Sequence, residues 1–98
     1  MVMIGGMKIM SVKPGRERQF EQLFRELREE IRKNEPGCMA YVLLSSRMNR
    51  DSYVLHEQYV DQAALDAHRA SAYGARYFPV IRSLLTGIEI EYFDGVVE

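Results

Sequence analysis

Glu57 and His68 are the side chains in this sequence best placed for acid–base work. They lie in Ser52 to Ser71, SYVLHEQYVDQAALDAHRAS, which reads as a strand running almost without a loop into a short helix. Alternate side chains of a strand share a face. Tyr53, Leu55, Glu57 and Tyr59 therefore point one way, and Val54, His56, Gln58 and Val60 the other. Asp61 stands where an N-cap belongs, its carboxylate free to accept a backbone N–H of the first helical turn. Ala64, Leu65 and His68 follow at helical spacing, which puts His68 on the helix's apolar face. A glutamate from the strand and a histidine from the helix can then reach one cavity. An imidazole titrates near neutrality and suits a general base. A carboxylate beside it can orient the ring, stabilise its charge, or act as an acid–base group itself. The structural alternative is a core histidine bonded to a backbone carbonyl or to Glu57, with Glu57 serving a buried donor.

Tyr41, Tyr59, Tyr73 and Tyr77 are the candidate substrate contacts, because a tyrosine gives a pocket an apolar wall with a hydrogen-bonding tip. Tyr53 has the same chemistry, and tyrosines at strand and helix spacing are often half-buried core. His56 faces away from Glu57, towards an interface or the surface. Cys38 follows a turn with nothing nearby to depress its pKa, and reads as a small buried hydrophobe. No Cys/His/Asp/Glu cluster has metal spacing, no glycine-rich loop has phosphate-binding spacing, and no Ser/His/Asp order suggests a nucleophile. Neither a metal nor a cofactor is expected.

The 98 residues suit one domain over residues 1–98, with a modest core. Thirteen basic and fourteen acidic residues give a net charge of −1, which argues against nucleic acid or an anionic membrane as partner. One cysteine allows no intrachain disulfide and fits a reducing compartment. The N-terminus lacks the pattern of a signal peptide, and no apolar stretch approaches the ~20 residues of a membrane span. A cytoplasmic protein is expected.

The positioning elements follow from periodicity. Met3 to Val12 reads as a strand interrupted at Gly5-Gly6 by a bulge or frayed end, with a turn at Pro14-Gly15. Arg16 to Asn34 is the clearest helix: Phe20, Leu23, Phe24, Leu27 and Ile31 form one apolar stripe. Its other face carries Glu21–Arg25 and Glu29–Lys33 at i, i+4, a solvated surface. Glu35-Pro36-Gly37 ends it, since proline cannot continue a helix and glycine can take left-handed backbone. Cys38 to Ser46 reads as a strand with Cys38, Ala40, Val42 and Leu44 on one face and Met39, Tyr41 and Leu43 on the other. Both faces are apolar, so both need cover. Helices supply it on one side, and a second copy of the chain is the simplest cover for the other. Ser46 to Asp51 is a hairpin loop.

Ala72 to Leu85 reads as a further helix, with Tyr77, Val80, Ile81, Leu84 and Leu85 on its apolar side. Pro79 within it predicts a kink or a division. Ile88 to Phe93 alternates as a last strand with one wetter face, followed by an Asp94-Gly95 turn and a tail, Val96-Val97-Glu98. The order β-α-β-β-α-β, with the second helix broken, predicts an α+β, ferredoxin-like fold with helices on one face of an antiparallel sheet.

Several segments resemble, in order, the antibiotic biosynthesis monooxygenase (ABM) domain family. These are Lys13-Pro14-Gly15, the helix with Phe20 and Phe24, Glu35-Pro36-Gly37-Cys38 followed by Tyr41, and Glu57-x-Tyr59-x-Asp61-x-x-Ala64-Leu65-x-x-His68-x-x-Ser71. The resemblance runs from about Met7 to Phe93. It implies a homodimeric α+β barrel, two sheets packed face to face, with a pocket between sheet and helices in each protomer. It also implies a small-molecule substrate. The family includes cofactor-free monooxygenases of quinols and polyphenols, haem-degrading enzymes, and an isomerase of a phosphorylated autoinducer-2 derivative. The haem-degrading pattern is not met: its helical Trp falls near His68 in a chain without Trp, and its proximal His falls near Phe78. Ser83-Leu84-Leu85-Thr86-Gly87 resembles the isomerase, in which Arg69 and Arg76 are candidates to hold a phosphate. The expectation is a cofactor-independent monooxygenase of a small quinol or polyphenol, with His68 as base or anchor and Glu57 behind it. The alternatives are the isomerase and a metabolite-binding dimer without turnover.

Overall fold

A computed structural model describes residues 3–95 and 97. Its elements, numbered in chain order, are β1 (Ile4–Val12), α1 (Glu17–Asn34), β2 (Cys38–Ser45), β3 (Ser52–Tyr59), α2 (Gln62–Arg69), α3 (Ala72–Ser83) and β4 (Leu85–Asp94). The four strands form one antiparallel sheet in the order β2-β3-β1-β4, the ferredoxin-like arrangement with the second helix in two pieces. Val96 and Glu98 of the expected tail lie outside the described residues.

The apolar stripe of α1 does what its spacing requires. Phe20, Phe24, Leu27 and Ile31 are buried against the sheet's inner face. They join Met10 and Val12 of β1, Tyr41 of β2, and Tyr53 and Leu55 of β3 in the main core. A smaller cluster of Ile4, Tyr59 and Leu65 ties α2 to the same face. Asp61 caps α2 as expected, its carboxylate accepting the Ala64 N–H at 2.9 Å.

The structure differs from the sequence reading at five places. Gly5 and Gly6 are neither bulge nor frayed end. They sit in regular register in the central strand, opposite Gln58 and Glu57 on one side and Phe93 and Tyr92 on the other. Cys38 does not share a face with Ala40: the register shifts between them, so Cys38 pairs with Tyr59 and Tyr41 with Glu57. This bulge returns Cys38 to the helix-facing side, because an extra residue reverses the alternation. Burial and the charge of Glu35 push its thiol up to about 11, so it stays protonated at neutral pH. The helix break falls at Ala70-Ser71, where Ser71 Oγ accepts the Gly74 N–H and opens α3; Pro79 lies inside that helix. Leu85 begins β4 instead of ending a helix.

The fifth difference is Gly37, whose φ is not positive. Its missing side chain makes room: a Cβ there would stand 2.7 Å from Ala64 Cβ and 3.2 Å from Val60 Cγ2. The turn after α1 can therefore lie directly against α2. Gly37→Ala is expected to destabilise the protein by about 1–2 kcal/mol. Overpacking of about 1–3 kcal/mol exceeds the ~0.4–1 kcal/mol gained by stiffening the unfolded chain. Urea unfolding measures the difference, and an unchanged or raised midpoint would contradict the packing argument.

Candidate active site

Between α1, α2, α3 and the sheet lies a cavity of about 370 Å³. This is the size of a site for a small molecule. Its walls are mostly apolar: Phe20, Phe24 and Leu27 from α1, Phe78 and Ile81 from α3, and Met10, Leu55, Leu85, Ile88 and Ile90 from the strands. Phe24 and Tyr41 stack almost parallel, with ring centroids 5.3 Å apart. Its polar lining is Tyr41, Tyr92, His68, Lys8, Arg69 and Arg82, and no carboxylate lines it among the described residues. The same residues include no cluster of three or more His, Cys, Asp or Glu able to hold a metal ion.

His68 is 2% exposed and lines this cavity. Tyr41, Tyr59 and Phe78 hold its ring on three sides, at centroid distances of 5.4, 5.4 and 5.2 Å. Its Nδ1 lies 3.0 and 3.1 Å from the two carboxylate oxygens of Glu35, which also accepts the hydroxyl of Tyr73. A carboxylate that accepts from Nδ1–H leaves Nε2 as the lone-pair nitrogen of the neutral ring. His68 thus lines the cavity with Nδ1 engaged by Glu35, and its Nε2 makes no hydrogen bond among the described residues.

Glu57 is placed elsewhere. It is fully buried on β3, behind the cavity lining. Its Oε1 accepts the Tyr59 hydroxyl at 2.7 Å, and its Oε2 lies 3.3 Å from Lys8 Nζ. That contact lacks hydrogen-bond geometry, so Oε2 is a buried acceptor without a hydrogen bond among the described residues. Glycine at position 6 permits this packing: a Cβ there would stand 2.8 Å from Glu57 Cγ and 3.0 Å from Tyr92 Cε1. The carboxylate expected beside His68 is therefore Glu35. Sequence reading passed over it as part of a helix-ending turn. The available signal was an acidic residue at a helix C-terminus, where the dipole disfavours negative charge and some other contact must favour it.

Of the tyrosines singled out, only Tyr41 lines the cavity. Tyr59 supports His68 and Glu57 from behind, Tyr73 holds Glu35, and Tyr77 bonds to Glu26 at the surface. Arg69 lines the cavity with its guanidinium 4.8 Å from the Tyr92 ring centroid, whereas Arg76 leans on Tyr77 outside it. His56 is exposed on the opposite face of the sheet.

Burial first, and then a carboxylate at each ring, pushes the phenols of Tyr41, Tyr53, Tyr59 and Tyr73 upward. Glu57 is the carboxylate for Tyr41 and Tyr59, Glu21 for Tyr53, and Glu35 for Tyr73. These phenols are neutral in the fold, with folded values above the unfolded value of about 10. Their stability contribution is therefore complete below about pH 10 and is lost as pH rises through the folded values. The expected result is one alkaline transition in which tyrosinate absorbance and far-UV circular dichroism change together. A full tyrosinate titration near pH 10 with unchanged dichroism would contradict it.

Residues 3–79 match the antibiotic biosynthesis monooxygenase family. The chain belongs to the ABM family. A Caulobacter crescentus CB15 protein, crystallised as a candidate antibiotic biosynthesis monooxygenase, is 31% identical with a TM-score of 0.91, over 97% of this chain and 91% of its own. A conserved Methanosarcina mazei Go1 protein is 27% identical with a TM-score of 0.89, over 98% of this chain and 95% of its own. A further crystal structure of an antibiotic biosynthesis monooxygenase is 29% identical with a TM-score of 0.85, over 96% of this chain and 99% of its own. Curated proteins give no significant sequence match. These ABM likenesses fit a monooxygenase-like or small-molecule-binding role. No helix among the described residues is long and apolar enough to cross a membrane.

Proposed function

We propose that this ABM protein is a cofactor-independent monooxygenase of a small quinol or polyphenol. The observation that carries the reading is the Glu35–His68 pair: a buried carboxylate fixes the imidazole in the wall of a mostly apolar cavity. In such chemistry the substrate itself reacts with oxygen once deprotonated. The protein must remove a proton, hold the ring and keep water away. His68 is the proposed base, Glu35 its orienting partner, and Tyr41, with Phe24 stacked on it, a wall against which an aromatic substrate lies.

The working unit we propose is a homodimer in the cytoplasm. Met7 and Ile9 of β1, Val42 and Leu44 of β2 and Phe93 of β4 share the helix-free face of the sheet, and all are exposed. An apolar patch of this kind marks an interaction surface. The unpaired Cys38 fits a reducing compartment.

A second reading, the isomerase of a small phosphorylated sugar-like molecule, is favoured by Lys8, Arg69 and Arg82 around one cavity. The test is oxygen uptake by purified, metal-stripped protein over a panel of simple quinols. Uptake above the uncatalysed rate supports the monooxygenase. Its absence throughout the panel sinks that reading for these substrates. Phosphate-competitive binding then favours the isomerase, and binding without turnover a metabolite-binding dimer.

A further inference from the structure

We propose that Lys8 is the cavity's anion anchor, an ammonium held by buried Glu57 that binds the ligand's ionised oxygen. The inference rests on the monooxygenase reading and narrows its substrate class to phenols bound as phenolates.

Lys8 lies in the central strand, with Leu55 and Ile90 as its cross-strand neighbours. Its side chain faces the helices, beside Met10, and is 19% exposed. Nothing in this apolar setting calls for a cation except Glu57, one diagonal step away on β3, within reach of a long side chain. The fold does not need that pair. Replacing a buried ion pair with apolar side chains is often neutral or stabilising. What the pair supplies is a charge inside the lining that no other contact uses. Lys8 Nζ makes no hydrogen bond among the described residues, Glu57 Oε2 included. The N–H donors of its ammonium that do not face Glu57 are therefore open to a ligand. An oxygen anion meeting them away from bulk water gains more than it would in solvent. Arg69 and Arg82 also line the cavity, but both are exposed, as rim groups would be. The other ionisable groups close by are Tyr41, Tyr92 and His68.

The probes are 4-nitrophenol, whose phenolate absorbs visibly apart from the phenol, and its methyl ether 4-nitroanisole, which cannot ionise. Neither reports turnover. Wild type is expected to bind the phenolate about ten- to hundredfold more tightly than the ether, the scale of a hydrogen bond to a charged group. The double variant K8M/E57M removes the pair without stranding a buried charge. It should lose the preference while binding the ether as before, and K8R should retain most of it. Equal binding of both probes by wild type, failure to bind either, or a preference that survives in K8M/E57M would overturn the proposal. In the last case Arg69, Arg82 or His68 holds the anion. Oxygen uptake separates the two readings. A Lys8-dependent preference without uptake sinks the monooxygenase and leaves the anchor, and uptake without that preference sinks the anchor alone.

Discussion

Alanine in place of His68 is expected to lower quinol-dependent oxygen uptake by about a hundredfold or more, the usual scale of a lost acid–base group. The ring is packed among Tyr41, Tyr59 and Phe78, so its loss also leaves a void. Glu35→Gln separates the two effects. Glutamine keeps the volume and can still accept from Nδ1, but it withdraws the negative charge. Loss of an orienting partner of this kind typically costs ten- to a hundredfold in activity. The glutamine variant should therefore fall between wild type and His68→Ala, with stability nearer wild type. Steady-state oxygen uptake beside thermal unfolding decides the matter. Wild-type rates in both variants would remove His68 from the chemistry, whatever the substrate. A fall in Glu35→Gln matched by collapse of the fold would make Glu35 a structural residue.

The second large effect concerns the other buried carboxylate. Lys8→Met leaves Glu57 fully buried with the Tyr59 hydroxyl as its only hydrogen-bond donor among the described residues. Breaking a buried pair from one side costs about 3–5 kcal/mol. Lys8 keeps part of its side chain in solvent, so we expect the lower end, about 3 kcal/mol. In a chain of this size that lowers Tm by on the order of 15 °C at fixed protein concentration. Removing both charges together with the hydroxyl that Glu57 accepts, in K8M/E57M/Y59F, should recover most of the loss. Lys8→Met and this triple variant falling equally would contradict the pairing, since the cost would then be packing and not stranded charge. The outcome bears on the cavity wall, because Tyr41 pairs with Glu57 across β2 and β3 and stacks on Phe24.

Much of this architecture was legible in the sequence because it rests on short-range periodicity. The stripe from Phe20 to Ile31, the cap at Asp61 and the alternation of Tyr53, Leu55, Glu57 and Tyr59 each follow from one element's own geometry. What escaped depends on how elements meet. The faces of β3 and α2 predict that Glu57 and His68 reach one cavity, but faces alone do not say which carboxylate meets the ring. The actual partner, Glu35, arrives from α1 because Gly37 lets that turn rest on α2. Nothing local marks Lys8, a lone lysine in a strand; the register with β3 turns it inward towards Glu57. The bulge after Cys38 was invisible for a related reason: alternation predicts faces only while register is unbroken. The start of a new helix at Ala72 follows from the sequence, and Ser71 Oγ caps it, but the division expected at Pro79 is absent because Pro79 lies inside α3.

The place of β1 in the sheet has a consequence for how the protein is made. Both partners of β1, Ser52–Tyr59 and Leu85–Asp94, come later in the chain. A polypeptide leaving the ribosome therefore presents this central strand before either of its neighbours, and the sheet closes only once Leu85–Asp94 has emerged. Ile88, Ile90 and Tyr92 line the cavity from that last strand. No shorter nascent length carries a finished binding chamber. Chains stalled before Leu85 should be digested by protease as open polypeptide, and chains extended past Asp94 should resist. The time between synthesis of β1 and of β4 is therefore the time an unpaired β1 edge stays open to neighbouring chains, a hazard unpaired strand edges carry.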